Sequence, residues 1–400
     1  MKILMINKFL YPRGGAETYV FKLGEQLIKE GHEVQYFGME HADNIVHNRI
    51  NAYTKYMDFR NARLLERLRY PLRTIYSTEA RKKIRLVLED FQPEVCHLNN
   101  FNYQLTPSII LEIRKWERAS GKKCRIVMTA HDPQLVCPNH MCQNPNTKEI
   151  CEKCLHGSVF NCIRGKCIHG SALRSIIGAA EALFWRMLGT YREIDHIICC
   201  SHFMKRLLDT NPVLAGKTTA LHNFVERAPM KKTQKQDYVL YFGRFSEEKG
   251  IRTLVSAAKN LPEVNFIFAG SGPLEGIWEG TPNIRFAGFQ TGEALEKLIR
   301  EARFSLITSE CYENCPFSVL ESQMCGTPVL GADIGGIPEL IIEEKTGEFF
   351  KSGDIDDLTQ KIGSLWNDKE KTDRYAANCQ ENTYDTVKEY TEKIIDFYKN

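Results

Sequence analysis

Two carboxylates, Glu313 and Glu321, stand with seven residues between them in the stretch TSECYENCPFSVLESQMCGTPVLGADIGGIPELI, residues 308–341. The intervening NCPFSVL reads as a turn running into a helix, which Gly326-Thr327-Pro328 stops. Pro328-Val329-Leu330 then reads as a short buried strand, and Asp333 to Glu339 as a second turn before another helix start. Each turn can aim free backbone N–H groups outward, and a helix N-terminus favours anions. With one carboxylate before the first helix and one inside it, the stretch suits a ligand that is anionic in one part and rich in hydroxyls in another. A nucleoside diphosphate sugar is such a ligand.

A second string adds fixed cations. Gly243-Arg244-Phe245-Ser246-Glu247-Glu248-Lys249-Gly250 follows an apolar strand, Tyr238–Phe242, and precedes a helix from Ile251. Arg244 and Lys249 thus sit near the amino end of a helix, where they can neutralise a diphosphate without a divalent metal. Each such charge-assisted contact contributes roughly 1.5–3 kcal/mol.

The elements that must position these residues read as alternating strands and helices. Lys2 to Asn7 is a strand that runs into Gly14-Gly15, then a helix to about Glu30, then a strand from Glu33 to Phe37. In open α/β sheets ligands bind at the carboxyl ends of strands, and glycine lets backbone approach a substrate closely. Val95–Leu98, Arg125–Thr129, Asp195–Cys200 and Thr218–Asn223 continue the first set of strands. Ala130-His131-Asp132 sits at the carboxyl end of one of them. The polar, aperiodic run 226–237 reads as a linker, after which the βα alternation resumes.

Taken together, Glu313, Glu321, the G-T-P-V turn and the G-G-I-P-E loop resemble the E-x7-E region of retaining glycosyltransferases of the GT-B type, in the group known as family 4. The G-R-F-x-x-E-K-G string resembles that family's diphosphate-binding loop, Thr129-Ala130-His131-Asp132 its T-x-H-D element, and Gly14-Gly15 its first glycine loop. The resemblance covers nearly the full length. It implies an α/β chain of two Rossmann-like domains facing across a cleft. The first is expected at 1–225, with a cysteine-rich loop at 137–167, and the nucleotide-sugar domain at 238–383. A last helix, 384–400, crosses back. It further implies donor-binding roles for Gly14, Gly15, Gly243, Gly288, Pro316, Phe317, Ser318 and Glu321. Catalytic roles fall to His131, Glu313, Arg244 and Lys249. The implied reaction moves a sugar from a nucleotide-diphosphate sugar, a UDP-sugar before GDP-mannose, to a hydroxyl of a saccharide or lipid-linked acceptor. Anomeric configuration is retained and no catalytic metal is used. An epimerase of the same fold, an inverting transferase and a catalytically silent sugar-nucleotide-binding protein remain as alternatives. A dehydrogenase is disfavoured because no G-x-G-x-x-G follows the first strand.

Composition narrows the setting. The 400 residues carry a net charge of +3, which implies no preference for nucleic acid. No apolar run reaches the roughly 18 residues that span a bilayer, and Met1–Asn7 is too short for a signal-peptide core. The 14 cysteines are therefore expected reduced in the cytoplasm. Six of them fall in one loop: Cys137, Cys142, Cys151, Cys154, Cys162 and Cys167. Cys151-x-x-Cys154 is a metal-type knuckle that Cys162 and Cys167 can complete as a structural zinc site, with Cys137, Cys142, His140 and His156 as competing ligands. Free thiols or redox disulfides are the alternatives. Residues 61–89 read as a strongly basic helix broken by Pro71, a candidate for docking on an anionic membrane inner face. Residues 171–191 read as a long amphipathic helix containing Phe184, Trp185 and Met187, whose aromatics at helical spacing belong in the core rather than at a lipid site.

Overall fold

The computed structural model describes residues 1–57, 64–226, 233–382 and 384–400. It divides into two compact units, Met1–His222 with Val387–Asn400, and Asn223–Thr386. The first unit holds β1 (Lys2–Ile6), α1 (Gly15–Lys29), β2 (Glu33–Phe37), α2 (Leu64–Ile75), α3 (Thr78–Phe91), β3 (Val95–Leu98), α4 (Ser108–Ser120) and β4 (Arg125–Ala130). It continues with α5 (Asn161–Arg164), α6 (Ala172–Met187), β5 (His196–Cys199), α7 (His202–Asp209) and β6 (Thr218–Ala220). The strands pair in the order β2-β1-β3-β4-β5-β6, every pair parallel. Parallel sheets are covered on both faces, so their strands read as continuous apolar runs. Ile3 to Ile6 are accordingly fully buried.

The second unit holds β7 (Val239–Arg244), α8 (Ile251–Lys259), β8 (Phe266–Ser271), β9 (Ile284–Gly288), α9 (Gly292–Glu301) and β10 (Phe304–Ile307). After these come α10 (Phe317–Met324), β11 (Val329–Ala332), β12 (Gly347–Phe350), α11 (Ile355–Asn367) and α12 (Lys369–Glu381). Its sheet order is β12-β11-β10-β7-β8-β9, again parallel throughout. Strand order therefore reverses between β7 and β10, as it does between β1 and β3 in the first unit. The crevices outside those strand ends are where open α/β sheets take ligands.

The last helix, α13 (Val387–Lys399), belongs to the first unit. Tyr390 hydrogen-bonds Tyr19 through their hydroxyls at 3.0 Å, and the Arg125 guanidinium donates to the Phe397 carbonyl at 2.7 Å. The Tyr398 hydroxyl meets Nδ1 of the buried His97 at 2.6 Å, whose Nε2 meets the Thr129 hydroxyl at 2.7 Å.

Three expectations need revision. Pro71 does not break the basic segment: it lies inside α2, and the chain turns instead at Ser77, whose hydroxyl caps α3. Arg60 and Arg63 of that segment lie outside the described residues, as do 227–232 of the expected linker. The unit boundary falls before Asn223 because the Asn223 amide and side chain bond the Sγ and carbonyl of Cys315 in the second unit. Of the three α6 aromatic and Met positions, only Trp185 is fully buried, and Met187 faces water. Gly189, with φ of 62°, stops that helix short of Tyr191.

Replacing Tyr398 by Phe should remove about 1–2 kcal/mol of stability, because it leaves a buried imidazole nitrogen without its partner. A denaturant midpoint identical to the wild-type value would show that this bond does not secure the last helix.

Candidate functional site

In the second unit the site is built by two loops that leave adjacent strands. Gly243 and Arg244 end β7 and the loop after it carries Lys249; the loop after β10 carries Ser309 and Glu313. Arg244 is exposed and Lys249 half-buried. The Lys249 ammonium forms an ion pair with Oε1 of Glu313, which also accepts from the Ser309 hydroxyl at 2.6 Å. The Thr308 hydroxyl donates to the Lys249 carbonyl at 2.8 Å. Gly250 (φ 66°) is where the two loops touch: a Cβ there would stand 1.9 Å from the Thr308 carbonyl oxygen. Only glycine tolerates both the left-handed backbone and that approach.

The G-G-I-P-E loop holds the carboxylate from the other side. The Gly336 amide donates to the Glu313 carbonyl at 2.7 Å. A Cβ on Gly335 (φ 63°) would stand 2.4 Å from that same oxygen. The loop's glycines thus fix the backbone of Glu313.

Burial acts on both ions of the pair, and the pair overrides it. Burial alone would raise the Glu313 pKa, but Lys249 and Ser309 hold it below the ordinary carboxylate value. Burial would lower the Lys249 pKa, and Glu313 holds it above the ordinary ammonium value. Both groups are therefore charged at neutral pH.

Glu321 lies half-buried inside α10. Pro316 is the N-cap of that helix, in extended backbone and with no side-chain cap bond. Pro316 itself has no N–H, so the donors at this helix start are the amides of Phe317 and Ser318. Gly288 (φ 74°) ends β9, and the next residue, Phe289, is exposed.

In the first unit, the ends of β1, β3 and β4 gather a polar set. Nε2 of His131 meets Oδ1 of Asn99 at 2.9 Å, and the ring packs edge-on against Tyr19 at 4.9 Å. Burial drives the His131 pKa down to about 3, so the imidazole is neutral. Asp132 accepts from the Gln134 amide at 2.9 Å, which makes it the organiser of its own turn; burial pushes its pKa up to about 6. Gly14 has φ of −173°, ordinary extended backbone, and a Cβ there would make only a 3.7 Å contact. Backbone geometry therefore does not demand Gly14, and it and Gly15 are exposed at the start of α1.

Sequence reasoning missed several members of these sets. Ser309 and Thr308 gave no pattern beyond two hydroxyls near a carboxylate. Asn7 donates to the carboxylate of the buried Glu17 at 3.1 Å and accepts from the Asn100 amide at 3.0 Å; the ends of two strands were its only signal. A separate cavity of about 190 Å³, among Trp185, Arg186, Tyr191 and Asn211, holds none of the predicted site residues.

Among the described residues no three His, Cys, Asp or Glu side chains are grouped so as to hold a metal ion. Cys154 and Cys162 are buried, Cys151 and Cys167 half-buried, and all four are free thiols. The backbone ties the cysteine loop: the Cys151 amide donates to the Cys142 carbonyl at 2.8 Å and the Cys167 amide to the Cys162 carbonyl at 3.0 Å. Burial pushes the Cys154 thiol up to about 12, which keeps it protonated.

Residues 13–228 match the model described as Glycosyltransferase Family 4, and residues 224–382 that described as Glycosyl transferases group 1. Over 152 residues, 36% of this chain, the sequence is 34% identical to sulfoquinovosyl transferase SQD2 of Arabidopsis thaliana, but the match spans only 29% of that relative's length. Among solved structures, sucrose-phosphate synthase of Thermosynechococcus elongatus superposes with a TM-score of 0.71 at 17% identity, covering 100% of this chain and 98% of that one. Anabaena HepE, in complex with UDP and glucose, gives 0.66 at 18% identity, covering 100% and 99%. Those two likenesses concern the fold: the α/β, two-domain GT-B architecture.

The ion pair yields a test of the site's electrostatics. A Glu313 pKa held low contributes stability above the unfolded carboxylate value, lost as pH falls through the folded one. Lys249→Met removes the partner and strands a buried carboxylate, so it should cost about 2 kcal/mol near pH 7. The cost should shrink near pH 3, below the ordinary carboxylate range, as pH falls toward the lowered Glu313 pKa. Urea midpoints displaced equally at both pH values would exclude a charge origin.

Proposed function

Because the chain belongs to glycosyltransferase family 4, we propose that it moves a hexosyl group from a nucleotide-diphosphate sugar to a hydroxyl of a saccharide or lipid-linked acceptor. Configuration at the anomeric carbon is retained, no metal takes part in catalysis, and the product enters a polysaccharide or glycolipid. A UDP-sugar is the favoured donor, with GDP-mannose next; the UDP and glucose bound by HepE support that order.

The observation that carries this reading is the Lys249–Glu313 pair at the strand-order reversal of the second sheet, with the exposed Arg244 at the end of β7. A diphosphate arriving there meets the ammonium of Lys249, the mobile cation of Arg244 and the amides of Phe317 and Ser318. Lys249 then exchanges one anionic partner for another, and Glu313 is released to accept hydrogen bonds from sugar hydroxyls. Glu321 accepts from ribose hydroxyls. As the leaving diphosphate gains charge, Arg244 and Lys249 stabilise it, Lys249 without reorganising, which is the preorganised electrostatic form of catalysis. His131, neutral and fixed by Asn99, can exchange a hydrogen bond with a sugar hydroxyl but carries no charge into the site. No protein side chain is assigned as general base; a phosphate oxygen of the leaving group takes the acceptor's proton.

Arg244→Ala and Lys249→Ala should each lower turnover by roughly 10²–10³-fold while the fold survives. Activity is read as release of free nucleotide together with a glycoside, across a panel of UDP- and GDP-sugars with the anomeric product identified by NMR. Near-wild-type turnover in both variants, or an epimerised sugar nucleotide in place of the glycoside, would overturn the assignment.

A further inference from the structure

The outward face of α6 is apolar over its whole length. Leu173 (68% exposed), Ile176 (47%) and Met187 (78%) point into solvent, and Ala180 lies exposed between them. These positions recur at helical spacing on one face. Leu183 and Phe184 lie half-buried beside them. The stripe is about 21 Å long at the ordinary rise of a helix. Leu188 (53%) extends it past the helix end, and Leu72 (74%) is exposed on α2, which packs against α6. Exposed apolar side chains gathered on one helix face, rather than scattered singly, point to an interaction site.

The inward face of the same helix is fully engaged. The Trp185 indole donates to the Ile75 carbonyl at 3.0 Å, and a Cβ on Gly178 would stand 2.2 Å from Ile168. Helix α6 is therefore not waiting to turn its apolar stripe inward.

Charge around the stripe selects the partner. The flanking stretches 64–75 and 153–190 hold eight Arg or Lys against two Glu, in a chain whose net charge is only +3. One of the two acids, Glu181, is buried, and burial pushes its pKa up to about 8, so it adds no negative charge at neutral pH. Arg164 and Lys166, on and just after α5, are exposed, as is Arg174 on α6, and α5 packs against α6. A second copy of this surface would bring like charges together. An acyl layer beneath a negatively charged headgroup layer matches both features at once.

We propose that the outer face of α6, with Leu72 of α2, docks this protein on an anionic lipid bilayer. The aliphatic side chains enter the acyl boundary, and Arg164, Lys166 and Arg174 meet headgroup phosphates. Among the described residues no helix is long and apolar enough to cross a membrane, so the attachment is peripheral and reversible. The docking surface is thus the apolar stripe of α6 with its basic flanks, rather than the basic helical segment alone.

Vesicle co-sedimentation of the full chain tests this. Wild type should partition onto vesicles of equal parts phosphatidylcholine and phosphatidylglycerol, and at least about ten-fold less onto phosphatidylcholine alone. Leu173→Gln/Ile176→Gln/Met187→Gln changes only exposed side chains and should weaken anionic binding about ten-fold or more. Arg164→Glu/Lys166→Glu should weaken it also and reduce its salt dependence. Wild type left in the supernatant, or a triple variant that binds undiminished, would overturn the proposal. A wild-type dimer that the triple variant dissolves would assign the face to a second copy and overturn it equally. Nucleotide-sugar turnover in vesicle-free buffer is a separate readout. Binding without turnover would sink the transferase reading and leave this surface standing.

Discussion

An ammonium and a carboxylate removed from water together set the ligand edge of the second unit. Lys249 or Glu313 alone in that setting would be driven toward its neutral form, because burial penalises charge. Paired, each keeps the other ionised. The pair also has a mechanical effect. It joins the loop after β7 to the loop after β10, and the Thr308 hydroxyl and the bare Gly250 close the same seam. The cation is therefore aimed before any ligand arrives. A preset charge costs no reorganisation when negative charge develops nearby.

The first unit presents a different set of groups at its strand ends. Burial holds His131 neutral, raises the Asp132 pKa and lowers that of Lys8, in a set rich in hydrogen-bonding groups. Asn7, Asn99 and Asn100 add amides to it. Hydroxyl groups are recognised well by such neutral donors and acceptors; a phosphate is recognised better by fixed cations. The same fold, used twice, therefore offers two chemistries, and the difference arises from which residues terminate β1, β3 and β4 on one sheet and β7 and β10 on the other.

What could be read from sequence follows the range of the forces involved. β1 and β7 were legible because a strand covered on both faces must be apolar without interruption, and Arg244, Lys249 and Glu313 were legible because glycines bracket them where loops touch. The break at Ser77 was less so: Pro71 is a strong local signal, yet the backbone of α2 accommodates it. Boundaries set by distant partners were hidden as well, as at Asn223, whose place is fixed by Cys315. In the cysteine loop, spacing suggested tetrahedral ligation but could not show the backbone bonds between cysteine positions that close the loop.

Helix α6 shows the limit most clearly. Periodicity tells which residues share a face; it does not tell which face turns inward. In an ordinary amphipathic helix the apolar face is the inward one, and that assumption places Phe184 in the core with Trp185. Here the inward face is made of small and mixed residues, Ser175, Gly178, Ala179 and Glu181, around the single anchor Trp185. The side chains of Leu173, Ile176 and Met187 lie largely outside the packed core, so polar residues there would cost the fold little. Their apolar identity therefore answers to something other than folding, and the basic residues flanking them restrict what that something is. An interior partner would not need the charges, and a purely electrostatic partner would not need the stripe. A surface that is apolar beneath and anionic above uses both.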